Sequence, residues 1–227
     1  MEEKISMNLD FSPFSLPIIK EYILPGLSFS VQTTIIVTIL GLFFGTLLAM
    51  MRLSSFKTIS AIATAYIVIM RSIPLLMVIL WFFLLIPLLT GAPLGEKIST
   101  YITFTAFEAA YFAEIMRSGI KSVAKGQYFA AKALGMTYMQ KMRIVILPQA
   151  FRNMLPVLLT QVIILFQDTS LVYAIGAYDL LKGFEQMGKN YGRLEEAYIL
   201  AAITYFIICF ILSQAVKYFQ KKVAINR

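Results

Sequence analysis

Apolar residues in this chain come in long unbroken runs, not in stripes that recur once per helical turn. Five runs stand out, at residues 26–51, 58–89, 98–116, 153–178 and 196–216. About 20 residues at 1.5 Å rise cross the roughly 30 Å hydrocarbon core of a bilayer, so each run predicts a membrane-spanning helix. The first run carries no charge. The second is too long for an upright span and is interrupted by Arg71 and Pro74. It predicts a tilt, or a bend where Pro74 lacks a backbone donor. Ahead of the first run, residues 1–25 include the proline-broken stretch FSPFSLPIIKEYILPG, expected to lie along the outer interface as an amphipathic segment. The pattern predicts an all-α, polytopic membrane protein with five transmembrane helices and one transmembrane domain over residues 26–217.

Composition supports that class. The chain is 59% hydrophobic and 14% charged, against about half apolar and about a quarter charged for a soluble domain. With no His and a single Cys, Cys209, an internal disulfide, a Cys/His zinc site and His-based acid/base chemistry are all excluded. The net charge of +8 follows from the positive-inside rule more simply than from nucleic-acid binding.

Charge also sets the orientation. Thirteen of the 20 Lys and Arg residues fall in the Arg52–Lys57 turn, the 117–152 loop and the tail from Lys217. The 117–152 loop holds Arg117, Lys121, Lys125, Lys132, Lys141, Arg143 and Arg152 and no acid. Most acids lie in the other set, the N-terminus and the 90–97 and 179–195 loops. The basic set is expected in the cytoplasm. The N-terminus is then outside, and the basic tail at 218–227 is inside. MEEKISMNLD at the start does not have the character of a cleavable signal peptide.

The 117–152 loop reads as two short helices. Gly126 precedes the helix-forming run QYFAAKAL, which Gly135 can end in the left-handed conformation. A second helix from about Tyr138 runs to Pro148. Ala130, Ala131 and Ala133 leave one face thin enough for close approach by a neighbour, and Leu134 and Met136 offer apolar knobs. From composition alone the loop is an amphipathic segment on lipid headgroups.

Its spacing resembles the signature of transmembrane permease subunits of ATP-binding-cassette (ABC) importers: Glu-Ala-Ala, three residues, Gly, nine residues, Ile-x-Leu-Pro. Ala130 and Ala131 take the alanine places, Gly135 the glycine place, and Leu147 and Pro148 close the motif. The flanks AEIMRSGIKSV (113–123), GQ (Gly126, Gln127), ALG (133–135) and LPQAFRNMLP (147–156) are similar to the amino-acid-importer branch, as are RSIPLL (71–76) and QDTSLVYAIG (167–176). DTSLVY, the YGR-x-EEAY stretch and the last span look most like glutamate/aspartate permeases. Two positions depart from the motif: Val145 replaces Ile, conservatively, and Phe129 replaces Glu. Glu108-Ala109-Ala110 spells the letters too, but Glu114 stands where Gly belongs and the triplet lies inside the third span.

The resemblance implies the type I ABC importer permease fold, a bacterial inner-membrane location and no enzymatic activity in this chain. It also implies a role for Gly126, Gln127, Phe129, Ala130, Ala131, Ala133, Leu134, Gly135, Leu147 and Pro148 in coupling to a separate ATPase subunit, which would carry ATP and magnesium. An extracytoplasmic binding protein would deliver the amino acid. A second permease chain would complete the pathway, a different chain supplying the missing acid being favoured and a homodimer being the alternative. GFEQMGKN (183–190) nearly spells a phosphate-binding loop, but Asn190 replaces the magnesium-binding hydroxyl and the segment is expected outside. No cofactor or metal is expected on this chain.

Ionisable residues within spans usually face a cavity or a partner. Asp168 is roughly 22 Å along the fourth span and Arg71 roughly 20 Å along the second, at 1.5 Å per residue. They are expected at similar depth, with Glu108 near them. One reading is an ion pair that locks helices. The other is a substrate path of Arg71, Glu108, Gln167, Asp168, Thr169 and Ser170, with Asp168 facing an α-ammonium group and Arg71 a carboxylate. Glu114 and Arg117 are expected to form a structural or gating pair. Gly41 and Gly45 form a small-x3-small pair for close packing, and Trp81, Phe82 and Phe83 read as interface or packing residues.

Overall fold

The computed structural model describes residues 9–223, and the described residues fold into helices joined by short turns. The first helix, α1 (Leu16–Arg52), is followed by α2 (Lys57–Ser72), α3 (Leu75–Thr90) and α4 (Glu96–Lys121). Then come α5 (Lys125–Ala133), the single turn α6 (Tyr138–Gln140), a π-helical stretch Lys141–Ile146, and α7 (Leu147–Asp168). A 3-10 stretch, Thr169–Ile175, leads to α8 (Leu180–Tyr191) and α9 (Leu194–Val223). The expected outer segment at 1–8 and the last tail residues, 224–227, lie outside the described residues.

By length and composition, three helical segments among the described residues can cross a membrane: α1, Tyr138–Ile175 and α9. The α2–α3 pair makes a fourth if taken as one span. The helix expected at 98–116 is present as α4, and its 26 residues give roughly 39 Å of rise. It is too polar to pass as a span by composition. Ser99, Thr100, Thr103, Thr105 and Glu108 are all buried, because α4 packs against α1, α2, α3 and α7 inside the bundle instead of facing lipid. Enclosure removes the requirement that a span be apolar on every face.

The second half of the stretch expected along the outer interface is helical. Helix α1 starts at Leu16, with a proline in its first turn, where the missing N–H costs nothing. It continues through Pro25 because α8 braces it there. A Cβ on Gly26 would overlap the backbone of Asp179, and one on Gly183 would lie 2.6 Å from the Tyr22 carbonyl oxygen. Tyr178 Oη also donates to the Tyr22 carbonyl at 3.1 Å. Further along α1, Gly41 and Gly45 bring the helix against Phe112, Ala109 and Ala113 of α4, as their spacing predicted.

The second run breaks at Pro74. Ile73, held extended as the residue before a proline, and Pro74 turn the chain by 107° between α2 and α3. Tyr66 Oη donates to the Ala106 carbonyl, whereas Arg71, more than a turn later, faces Tyr111 and Glu114. Arg71 and Asp168, expected at similar depth, line one cavity.

The 179–195 stretch, expected as a loop, contains helix α8. Asp179 caps it by accepting from Leu181 N at 2.9 Å and Lys182 N at 3.1 Å, and Gly192 ends it at φ +63°. The phosphate-loop look-alike is part of this helix. Its glycines serve packing: Gly183 meets α1 and Gly188 meets Leu194 and Ala197 of α9. Glu185 accepts from Lys182 and Lys189 at 2.7 and 2.6 Å, which holds its carboxyl below the usual range.

Candidate functional site

Two regions carry unspent chemistry: a polar groove along α2, α4 and α7, and the basic loop between α4 and α7. In the groove, Glu108 is fully buried and accepts from Gln161 Nε2 at 3.1 and 3.3 Å. Gln161 and Asp168 lie seven residues apart on α7, two turns along one face. With Arg71, Pro74, Tyr111 and Leu171 they line a cavity of 510 Å³. The Arg71 guanidinium stands 5.3 Å from the Tyr111 ring centroid, within cation–π range.

Arg71 also lines a second cavity of 560 Å³ with Glu114, Ser118, Ser122, Asn153 and Val157. It therefore stands at the junction of the two. Glu114 binds Arg52 and Arg117 closely, the latter with Nε donating at 3.0 Å, and approaches Arg71 only at 3.9 Å. The Arg71 side chain is 40% exposed, against 19% for each of the other two. One carboxylate thus faces three guanidiniums, and Arg71 is the least committed of them. The expected Glu114–Arg117 pair is present, with Arg52 as a further partner.

The six expected path residues separate into two groups. Arg71 and Asp168 line the 510 Å³ cavity, and Glu108 is tied to it through Gln161. Gln167, Thr169 and Ser170 do not line it. Thr169 is buried and its hydroxyl donates to the Phe166 carbonyl at 2.7 Å, while Gln167 reaches toward Cys209 on α9. The cause is helical geometry: neighbours of Asp168 in sequence point to other faces of α7. Tyr111 and Gln161 were missed, although Tyr111 is three residues from both Glu108 and Glu114 and Gln161 is seven from Asp168. Those spacings place them on the same faces as the charges.

In the basic loop, α5 ends as its glycine predicted. Gly135 has φ +70°, its N–H donates to the Lys132 carbonyl at 3.0 Å, and the Met136 N–H donates to Ala131 at 3.1 Å. This pair of bonds is the Schellman closure. Thr137 and Gln140 form a capping box at the start of α6. Lys141 lies over two rings, 5.9 Å from Tyr128 of α5 and 5.6 Å from Tyr138 of α6, which ties the two arms together. Tyr128 packs toward Val123, Ile146 and Ala150, and Ala131 is buried. Asn153 Nδ2 donates to Ser122 Oγ at 2.8 Å and closes the base of the loop.

The other face of α5 is unpartnered among the described residues. Gly126, Phe129, Ala130, Ala133 and Leu134, spaced on one helical face, are all exposed, and so are Gln127, Leu147 and Pro148 or their immediate surroundings on the loop. Among the described residues, no group of three acidic or thiol side chains can hold a metal ion.

Comparison with known proteins agrees with this architecture. Residues 38–225 match the family described as "Binding-protein-dependent transport system inner membrane component". The chain is 44% identical over 210 residues to the glutamate/aspartate import permease protein GltK of Escherichia coli, covering 89% of this chain and 94% of that one. It is 32% identical over 220 residues to the arginine transport system permease protein ArtQ of Bacillus subtilis, covering 97% and 100%. Among solved structures, an amino acid ABC transporter crystallised with histidines superposes with a TM-score of 0.90 at 30% identity, covering 95% of this chain and 100% of that chain.

Proposed function

The chain belongs to the binding-protein-dependent transport family of inner-membrane components, as an amino-acid ABC permease subunit and not an enzyme, and we propose that it imports acidic amino acids. The observation that carries the substrate is the 44% identity to a glutamate/aspartate import permease across nearly the whole of both chains. ATP hydrolysis on a separate subunit drives the cycle. That subunit docks on the 117–152 loop, which Gly135 and the Lys141 bracket make into a stiff elbow. The basic loop is cytoplasmic, the N-terminus is outside and the C-terminus inside. A binding protein delivers solute at the outer face, to the 90–97 and 179–195 segments.

A second permease chain covers the open groove, since the cavities along α2, α4 and α7 are half-enclosed by this chain alone. In that groove Asp168 meets the α-ammonium group and Arg71 a carboxylate. Arg71 suits this role because Glu114 leaves it the freest of three guanidiniums. ATP-driven movement of the elbow biases the spans between inward- and outward-facing states.

Uptake by cells that rely on this system for acidic amino acids tests the substrate. Labelled glutamate should enter, excess aspartate should compete, and arginine should not. Uptake competed by arginine alone would overturn the acidic assignment while leaving the family untouched.

A further inference from the structure

The exposed face of α5 has a shape and chemistry of its own. Phe129 is 68% exposed and Leu134 76% exposed, and between and beside them Gly126, Ala130 and Ala133 present almost no side chain. On the opposite face Tyr128 packs on the loop's own core and Ala131 is buried. Around this shallow apolar strip stand Lys125 and Lys132, both exposed, and the whole 117–152 loop has seven cations and no acid.

We propose that this face docks through an aromatic anchor and a cationic rim, into an ATPase groove that offers an apolar pocket for Phe129 and carboxylates opposite Lys125 and Lys132. This rests on the reading that the loop meets an ATPase subunit and specifies the chemistry of that contact. No carboxylate on this loop is available to pair with a cation on the partner, so an ionic contact can run in one direction only, from partner acids to loop cations. A large aromatic side chain with two χ angles anchors an interface at low entropic cost, and such residues dominate binding where a pocket desolvates them. The small residues on either side let the partner's backbone approach closely enough to enclose the ring. A lipid surface needs no such relief, and a helix lying on headgroups turns its polar face to water, whereas the back of α5 is packed on protein. The rim cations steer and orient the encounter, and their effect is screened by salt.

The experiment co-purifies this permease, with its partner permease chain, and the ATPase subunit in detergent free of anionic lipid. Phe129→Leu should retain assembly. Phe129→Ala should weaken it about 30-fold, and Phe129→Glu at least as much. Lys132→Glu should weaken assembly at low salt and flatten its salt dependence. Binding of Phe129→Glu as tight as wild type overturns the proposal, because the pocket would then have to accept a carboxylate. Unchanged assembly of Phe129→Ala, with activity lost only in vesicles containing anionic lipid, assigns the face to the membrane and overturns it as well. If the wild-type complex shows no ATP-dependent uptake in the same vesicles, the function reading fails instead, independently of how Phe129 behaves.

Discussion

Replacing Gly26 or Gly183 by alanine should cost stability out of proportion to the single methyl group added. The two glycines lie in the contact of α1 with α8, Gly26 against the Asp179 backbone and Gly183 against the Tyr22 backbone one turn away. The Cβ on Gly183 would lie 2.6 Å from the Tyr22 carbonyl oxygen, and the Cβ on Gly26 2.8 Å from the Asp179 carbonyl carbon. Both obstacles are backbone, so no rotamer change relieves them. The helices must separate by roughly 1 Å, and overpacking of this kind costs about 1–3 kcal/mol. For a chain of this size that corresponds to a fall of about 2–12 °C in Tm. The double substitution should cost less than the sum of the singles, because one separation relieves both clashes. Gly126→Ala is the control: its Cβ would meet nothing within 4 Å and it lies inside α5 without a positive φ, so its Tm should stay within about 2 °C of wild type. Cys209, the sole cysteine and 7% exposed, provides the assay. A thiol-reactive dye that fluoresces on labelling it reports unfolding during a thermal ramp in detergent. A Gly26→Ala protein melting with wild type, or singles that add fully, would refute the close-contact account.

Three other outcomes follow from the same geometry. Gly135 has φ +70° with open space around it, so the constraint is conformational: Gly135→Asn should retain coupling, whereas Gly135→Val should lose ATP-driven uptake while still inserting into the membrane. Removing the partner of buried Glu108 by Gln161→Leu should cost about 2–4 kcal/mol in the Cys209 labelling assay. Glu185 titrates below its ordinary value of 4.5 because Lys182 and Lys189 donate to it. Its contribution is complete above pH 4.5 and is lost as pH falls through the lowered folded value, so Glu185→Gln should differ from wild type at pH 7 and converge with it once acid protonates the carboxyl.

Much of the fold was legible because the bilayer imposes a simple rule on lipid-facing helices. The runs at 26–51 and 196–216 and the bend at Pro74 followed from it. Gly135 and the Gly41–Gly45 pair were legible for a local reason, since each glycine answers a backbone requirement. Illegible parts depended on tertiary enclosure. The composition of α4 reflects its burial by four other helices, which no window along the chain records. The size of the 107° turn between α2 and α3 likewise depends on what the two helices pack against, which the run at 58–89 does not record. The glycines of α8 looked like a phosphate loop because close packing and phosphate approach call for the same residue. At the groove, the charges were found one by one. Their neighbours Tyr111 and Gln161, visible only on a shared helical face, were not.

The measurement closest to the central claim is uptake into vesicles that hold this permease, its partner chain and the ATPase, with the binding protein outside. With ATP and magnesium on the ATPase side, labelled glutamate should accumulate against its gradient. A non-hydrolysable nucleotide, or Gly135→Val, should abolish accumulation. Accumulation that proceeds equally without hydrolysis, or a complex that hydrolyses ATP yet moves no amino acid, would contradict the account.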